Sequence, residues 1–152
     1  MVHLLLPYVP FPDHLDPDLE QFTYGDVDRR ARKLKRDLIE GDHVFFHTTI
    51  RGIRYITAYY VVGRVFDTSE AASNRAIVNK YRNPHIKEYL AGERRDTDDV
   101  IVFGDPILSR KLPHPLRFDR KLSERLSLEI PFKRGFMEGE CITSATRQWR
   151  YL

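Results

Sequence analysis

The 152-residue sequence predicts an α+β fold, in which a small mixed or antiparallel β-barrel is flanked by helices. Runs rich in β-branched and aromatic residues, separated by short glycine-containing loops, are typical of strands joined by hairpins. Between them lie segments whose apolar residues recur every three or four positions, which is typical of helices. The predicted order, β–α–β–β–α–α–β–α–β, favours helices packed around a barrel. At this length we expect one domain over residues 1–152.

The first half of the chain is predicted to begin with a strand over His3–Leu6 and to continue, after a proline-punctuated loop, with a helix over Val27–Ile39. The apolar residues of this helix are spaced by four, three and four, so they share one face. They are Val27, Ala31, Leu34 and Leu38. Asp26 is expected to cap the first turn, and Gly41 is expected to supply the positive φ that follows the end of the helix.

A β-hairpin is predicted for the next segment. It consists of HVFFHTT, a short loop that contains Gly52, and a long β-rich run over Ile53–Phe66. Two β-rich runs around a short glycine-containing loop are typical of a hairpin. Neither face of the second run is polar, so we expect this strand to be central and covered on both sides.

The second half is predicted to contain shorter elements. Pro84 disfavours helical backbone at Asn83, so the helical segment around them is expected to break there. The predicted elements are helices over Glu70–Tyr81 and His85–Leu90, a strand over Val100–Phe103, a helix over Arg120–Leu126, and a final strand over Cys141–Thr146.

Composition excludes several classes of protein. A single cysteine excludes an internal disulfide framework and a paired-cysteine metal site. No apolar run is long enough to span a membrane, and the first residues lack the basic region and cleavage site of a signal peptide. We therefore expect a cytoplasmic protein with no membrane partner. Charged residues make up 31%, and arginine and glutamate are common while glutamine is scarce, which is compatible with a thermophilic source.

The sequence offers no clear metal, cofactor or catalytic motif. It has no HExxH motif and no glycine-rich phosphate loop. His43 and His47 are four apart, but they fall in a β-run, where such a spacing holds two side chains apart along one face. Cys141 is expected to be a small core residue. We therefore predict no metal, no cofactor and no enzymatic activity.

Positive charge is concentrated, although lysine plus arginine exceed aspartate plus glutamate by only 25 to 22. The segment DRRARKLKR, over residues 28–36, places six basic residues against one acid on the polar face of the predicted helix. Basic clusters in an aromatic-rich chain suit nucleic acid. The residues predicted to contact phosphates are Arg29, Arg30, Arg32, Lys33, Arg36 and, near the end of the sequence, Arg150.

The single tryptophan, Trp149, lies between Arg147 and Arg150. A ring that stacks on a base while the arginines meet phosphate fits this pattern. A ring packed under arginine side chains at the edge of the core fits it equally well. Both interpretations stay open. Tyr24 is a second candidate for stacking on a base.

The order of short motifs resembles that of PUA-like domains of the EVE, YTH and ASCH type, and most closely the nucleotide-modification-associated domains. The motifs are FTYGD before the basic helix, LIEGDHVFFHTTI with RYITAYYVVGRVF, DDVIVFGDPILSRKL, and SATRQWRYL. The resemblance implies a PUA-like barrel whose pocket admits one flipped-out or modified base. It implies pocket residues at Phe22, Thr23, Tyr24, His47, Thr48, Asn83 and His85, to which the residue pattern adds Arg147 and Trp149.

We therefore predict a non-catalytic module that binds nucleic acid, either DNA or RNA, and recognises a modified or flipped-out base. The alternative is an enzyme acting on nucleotides or nucleic acid, with His47 and Asp105 as candidate acid or base. A third hypothesis, a structural domain of a larger complex, requires an exposed apolar patch that a sequence does not reveal.

Overall fold

The computed structural model describes residues 1–94, 98–127, 132–133, 141–142 and 149–152. Its strands are β1 His3–Pro7, β2 Thr23–Val27, β3 His43–Ile50, β4 Ile53–Asp67, β5 Asp99–Gly104, β6 Arg110–Arg117, β7 Phe132–Lys133, β8 Cys141–Ile142 and β9 Arg150–Tyr151. Its helices are α1 Asp28–Asp37, α2 Thr68–Ser73, α3 Arg75–Lys80, α4 Pro84–Leu90 and α5 Arg120–Arg125.

Seven of these strands form one mixed sheet. The hydrogen-bonded path runs β2-β5-β4-β3-β1-β9, and β6 pairs with β4 outside that path. Strands β1 and β3 are parallel, whereas the other pairs are antiparallel. The predicted α+β class is therefore confirmed. Among the described residues the sheet ends at β2 on one side and β9 on the other, so its predicted closure into a barrel is not confirmed.

The β3–β4 hairpin forms the middle of the sheet. Arg51 and Gly52 at its tip have φ angles of 49° and 80°, and positive φ at both central positions is the geometry of a tight hairpin turn. The turn predicted at Gly52 is thus confirmed. Strand β4 pairs with β3 along its first part and with β5 over Val62–Asp67. It is central, as its two apolar faces predict.

Helix α1 packs its apolar face on this sheet. Ala31 and Leu34 are fully buried in the main core cluster, together with Phe46 of β3 and Tyr60 of β4. The predicted helix face is therefore confirmed at Ala31, Leu34 and Leu38, whereas Val27 is the last residue of β2. The predicted cap of α1 is wrong, because Val27 precedes the helix without a side-chain cap bond and Asp26 belongs to β2.

Three strands of the sheet, β2, β6 and β9, are absent from the prediction. Strand β2 reads TYGDV, and its glycine and aspartate are residue types that strands usually lack. Pairing with β5 along its whole length outweighs that local preference. Strand β6 contains Pro113 and Pro115, which cannot donate to a ladder, and it pairs with β4 on one side.

The helix predicted over Glu70–Tyr81 is two short helices, α2 and α3. Asn74 follows the first and caps the second, since its side chain accepts hydrogen bonds from the N–H groups of Ala76 and Ile77. Asparagine is among the best residues at such a position, which explains the break. None of the described helices is long and apolar enough to cross a membrane.

The strand that ends the main sheet is not the predicted one. Cys141–Ile142 pairs with Phe132–Lys133 as a separate two-stranded sheet, and residues 143–148 lie outside the described part. Arg150–Tyr151 pairs with β1 instead. Strand β1 has hydrogen-bonding groups left on the side opposite β3, and β9 pairs with them.

Candidate nucleic-acid interface

A cavity of about 660 Å³ opens between β2, the loop before it, the β3–β4 hairpin and the start of α4. Residues from all of these elements line it. They are Pro7, Tyr8, Val9, Phe11, His14, Asp16, Tyr24, Gly25, Asp26, Val27, Arg30, Thr49, Arg54, His85 and Arg94. The cavity therefore combines apolar walls, buried acids and three arginines.

His85 lies in this cavity between two carboxylates. Its Nδ1 is 2.7 Å from Asp99 Oδ1 and its Nε2 is 3.2 Å from Asp16 Oδ2, and no side chain of the three is more than 6% exposed. Burial disfavours charge on the ring, but the two carboxylates outweigh this effect and raise the pKa of His85 to about 9. Both ring nitrogens are then protonated at neutral pH, so His85 donates one hydrogen bond to each carboxylate.

The two carboxylates are themselves held in place. The Thr68 hydroxyl donates to Asp99 at 2.6 Å, and the backbone N–H of Gly25 donates to Asp16 at 2.8 Å. Gly25 also lies directly against the imidazole, because a Cβ at this position would be 2.4 Å from the ring of His85. Because Gly25 has no side chain, the His85 ring can pack against β2 and reach Asp16.

The start of α4 fixes the position of His85. The Asn83 side chain accepts from the backbone N–H of His85 at 2.9 Å and donates to the Thr23 hydroxyl at 3.1 Å. Asparagine at the cap and Pro84 in the first turn are a favourable helix start. Asn83 and Thr23 are fully buried, so their role is to support the wall of the cavity.

One arginine at the mouth comes from α1. The Arg30 guanidinium is 3.9 Å from Asp26 and 5.8 Å from the centre of the Trp149 ring. Asp26 also accepts a hydrogen bond from the Tyr24 hydroxyl at 2.5 Å. Burial, reinforced by Asp26, raises the pKa of Tyr24, which keeps the hydroxyl protonated as a donor. The Arg30 side chain is 59% exposed, so it can still turn toward a ligand.

Two more arginines border the cavity. Arg54 donates to Nδ1 of His47 at 3.3 Å, and His47 can accept this bond because burial and the nearby Arg54 lower its pKa to about 3. Arg94 forms an ion pair with Glu88 at 2.5 Å and lies 3.5 Å from Asp99. His47 is thus a buried support for an arginine of the cavity.

Aromatic and apolar side chains form the remaining wall. Tyr8 is partly buried, and its hydroxyl shares a hydrogen bond of 2.9 Å with Thr57. Val9 is 65% exposed and Phe11 is 57% exposed, although both are apolar. Phe11 therefore presents an aromatic surface beside buried polar groups.

The structure brings three of the predicted site residues to this cavity, namely Tyr24, Arg30 and His85. Four others are buried and do not line it, namely Thr23, His47, Thr48 and Asn83. Phe22 packs on Tyr60, with ring centres 5.6 Å apart. Trp149 is partly buried against the main core. Arg147 and the side chain of Arg150 lie outside the described residues.

The other predicted phosphate contacts lie along α1. Arg29, Arg32 and Arg36 are exposed and Lys33 is half-buried. Most of them have acidic partners, since Arg32 pairs with Asp98, while Lys33 and Arg36 lie 3.5 Å and 2.5 Å from Asp37. Helix α1 therefore presents less uncompensated positive charge than its sequence indicates.

Several residues that line the cavity are not predicted from the sequence. Asp16 and Arg94 lie among other charged residues, in segments that have the pattern of a loop and a solvated turn, and Arg54 lies in a predicted hairpin strand. The one available signal is the spacing of His14 and Asp16, two side chains of ligating type with one residue between them. Only the fold brings these residues to His85.

A family model described as "Nucleotide modification associated domain 3" (Nmad3) matches residues 10–137. The chain belongs to this family. The resemblance to nucleotide-modification-associated domains that the sequence predicts is therefore confirmed. The Nmad3 match includes Phe11, Asp16 and His85, and it ends before Trp149.

The chain is also similar to a solved ASCH structure. The crystal structure of ASCH from Zymomonas mobilis is similar over 99% of this chain and 87% of that chain, with a TM-score of 0.46 and 10% sequence identity. No curated protein matches the chain.

Proposed function

We propose that this chain is a nucleic-acid-binding module that takes one base, flipped out or modified, into the cavity beside His85 and does not catalyse a reaction on it. The observation that carries the proposal is the combination of a cavity of about 660 Å³ with three arginines among its lining residues and buried acids inside it. Membership of a family associated with nucleotide modification supports the same class of ligand.

The size of the cavity suits a single nucleotide unit. Pockets for small ligands typically enclose about 300–1,000 Å³. Phe11 and Tyr8 offer flat apolar surface on one side, and base–aromatic stacking contributes roughly 1–3 kcal/mol per base. Extruding a base costs a few kcal/mol of unstacking, so stacking of this size is needed to offset it.

The charges of the cavity suit the two ends of a nucleotide. Arg30, Arg54 and Arg94 line the cavity, and planar guanidinium groups bind phosphate oxygens in a bidentate manner and stack on bases. Arg94 is held by Glu88 and is 18% exposed, whereas Arg30 is 59% exposed and can turn toward a phosphate. Asp16 and Asp26 line the same space. A carboxylate accepts hydrogen bonds from an exocyclic amine on a base edge, so these acids favour a base with such an amine.

Helix α1 supplies the adjoining surface for the strand that carries the base. Its exposed arginines continue from Arg30 along one helix. Contacts between these arginines and phosphates contribute affinity that depends on salt and not on the base sequence. Several of the arginines are paired with acids, so we expect this contribution to be modest. Discrimination between bases then depends on the cavity.

Replacing Arg30 with glutamine is expected to weaken binding of a single-stranded oligonucleotide by at least about tenfold, since a charge-assisted contact contributes about 1.5–3 kcal/mol. The measurement is fluorescence anisotropy with plain and base-modified oligonucleotides over a range of salt concentrations. Affinity is also expected to fall steeply as salt rises.

The matched control is Arg36→Gln, which removes the same charge from the same helix. The Arg36 side chain is 72% exposed and pairs with Asp37, and Arg36 does not line the cavity. We expect it to change affinity by less than about threefold, in the range of exposed ion pairs. Equal losses in the two variants, or no binding at low salt, would contradict the proposal.

The enzymatic alternative rests on His47 and Asp105 as candidate acid or base, and the structure gives both of them other roles. Asp105 closes the turn after β5, since its side chain accepts from the N–H groups of Ile107 and Leu108 at 2.7 and 2.9 Å. His47 supports Arg54 from inside the protein. Neither residue lines the cavity. A role for them in catalysis stays a prediction from the sequence.

A further inference from the structure

Three side chains in the cavity bring metal-ligating atoms together. One ring nitrogen of His14, one carboxylate oxygen of Asp16 and one ring nitrogen of His85 all lie within 4.8 Å of one another. They come from the loop before β2 and from α4, and all three residues line the cavity. Two imidazoles and one carboxylate are the ligand set of many transition-metal sites in proteins.

The surroundings hold two of these ligands in the orientation that a metal requires. Asp99 binds Nδ1 of His85, which leaves Nε2 directed toward Asp16. A second carboxylate that holds the far nitrogen of a histidine is the usual outer-shell arrangement around metal-bound histidines. The N–H of Gly25 holds Oδ1 of Asp16, and Oδ2 therefore faces the imidazole.

We propose that His14, Asp16 and His85 form a binding site for a divalent first-row transition-metal ion within the cavity. The ion takes the place of the proton between Asp16 Oδ2 and His85 Nε2, and that proton leaves to solvent. Three protein ligands leave at least one coordination position open to the cavity, for water or for an anionic oxygen of a bound ligand.

The distances allow the site to form by movement of one side chain. Ligands about 2.0–2.2 Å from a tetrahedral ion lie roughly 3.3 Å apart. Asp16 Oδ2 and His85 Nε2, at 3.2 Å, already have that spacing. The His14 side chain is 39% exposed, and rotation of its ring toward the other two ligands requires it to give up a contact of 3.5 Å between its Nδ1 and Glu88 Oε1. Imidazole ligands favour Zn²⁺, Co²⁺ or Ni²⁺ over Mg²⁺, which prefers oxygen.

The test is a calorimetric titration of chelator-treated full chain with ZnCl₂, CoCl₂ and MgCl₂, without nucleic acid. This inference does not depend on base binding, so its failure would leave the proposed function in place. We expect one Zn²⁺ or Co²⁺ per chain and at least tenfold weaker binding of Mg²⁺. His14→Ala is expected to weaken Zn²⁺ binding by at least about tenfold, because even outer-shell changes at metal sites cost 10–100-fold.

The matched control is His114→Ala, which removes an exposed histidine from β6. It is expected to leave Zn²⁺ affinity unchanged. A second measurement does not depend on any variant, since substoichiometric Mn²⁺ should broaden the NMR signals of the His14 and His85 rings before those of His114. Absence of stoichiometric binding, equal losses in the two variants, or uniform broadening of all histidine signals would overturn the proposal.

Discussion

Replacing Gly25 with alanine is expected to lower the free energy of unfolding by about 3 kcal/mol or more, the size of effect seen when one partner of a buried ion pair is displaced. The added Cβ would lie 2.4 Å from the His85 ring, which must then move away from Asp16 and Asp99. Both carboxylates would stay buried without their shared cation. Urea-induced unfolding followed by circular dichroism measures the loss.

The matched control is Gly92→Ala. Gly92 has a φ of 72°, and a Cβ there would meet nothing within 4 Å. Its replacement is expected to cost only the backbone strain of a left-handed residue, about 1–2 kcal/mol. If Gly25→Ala were no more destabilising than this control, the close packing of β2 against His85 would not have the structural role assigned to it.

Acidification is expected to destabilise the protein through His47, by an amount on the order of 4 kcal/mol between pH 6.5 and pH 3. Burial, together with Arg54, lowers the pKa of His47 from 6.5 to about 3. In this range the unfolded chain binds a proton at His47 and the folded chain does not. The contribution of the neutral His47 ring to the free energy of unfolding is therefore fully present above pH 6.5, and it is lost as the pH falls toward 3.

This effect can be isolated by measuring the free energy of unfolding against pH in the wild type and in His47→Gln. Glutamine does not titrate, and its amide oxygen can still accept from Arg54. Between about pH 5.5 and 4 the variant is expected to have a slope smaller by roughly 1.4 kcal/mol per pH unit. Equal slopes, or an NMR titration of the His47 ring with a midpoint near 6.5, would contradict the assignment.

The parts of the fold that the sequence predicts well are those fixed by local pattern. The β3–β4 hairpin follows from β-rich runs on either side of a glycine at the turn, and α1 follows from apolar residues spaced three or four positions apart. Strand β2 is missed because TYGDV has turn-like residues, and only pairing with β5 makes it a strand. Tertiary contacts outweigh local preference there.

The site could be predicted only in part, for a related reason. His85 and Tyr24 enter through the family resemblance, and both line the cavity. Asp16 and Asp99, which hold His85, lie far from it in sequence, in segments that look like a loop and the polar start of a strand. Gly25 resembles an ordinary turn residue, because nothing in the sequence shows that an imidazole will pack against it.

The most direct test of the proposed function is an amide NMR titration of the protein with a short single-stranded oligonucleotide. If a base enters the cavity, the largest chemical-shift changes should fall on amides that line it, such as those of Gly25, Val27 and Thr49. Those of α1 beyond Arg32 should change less and should lose their response first as salt rises. Changes confined to α1, with the Gly25 amide unaffected at saturation, would contradict base entry into the cavity.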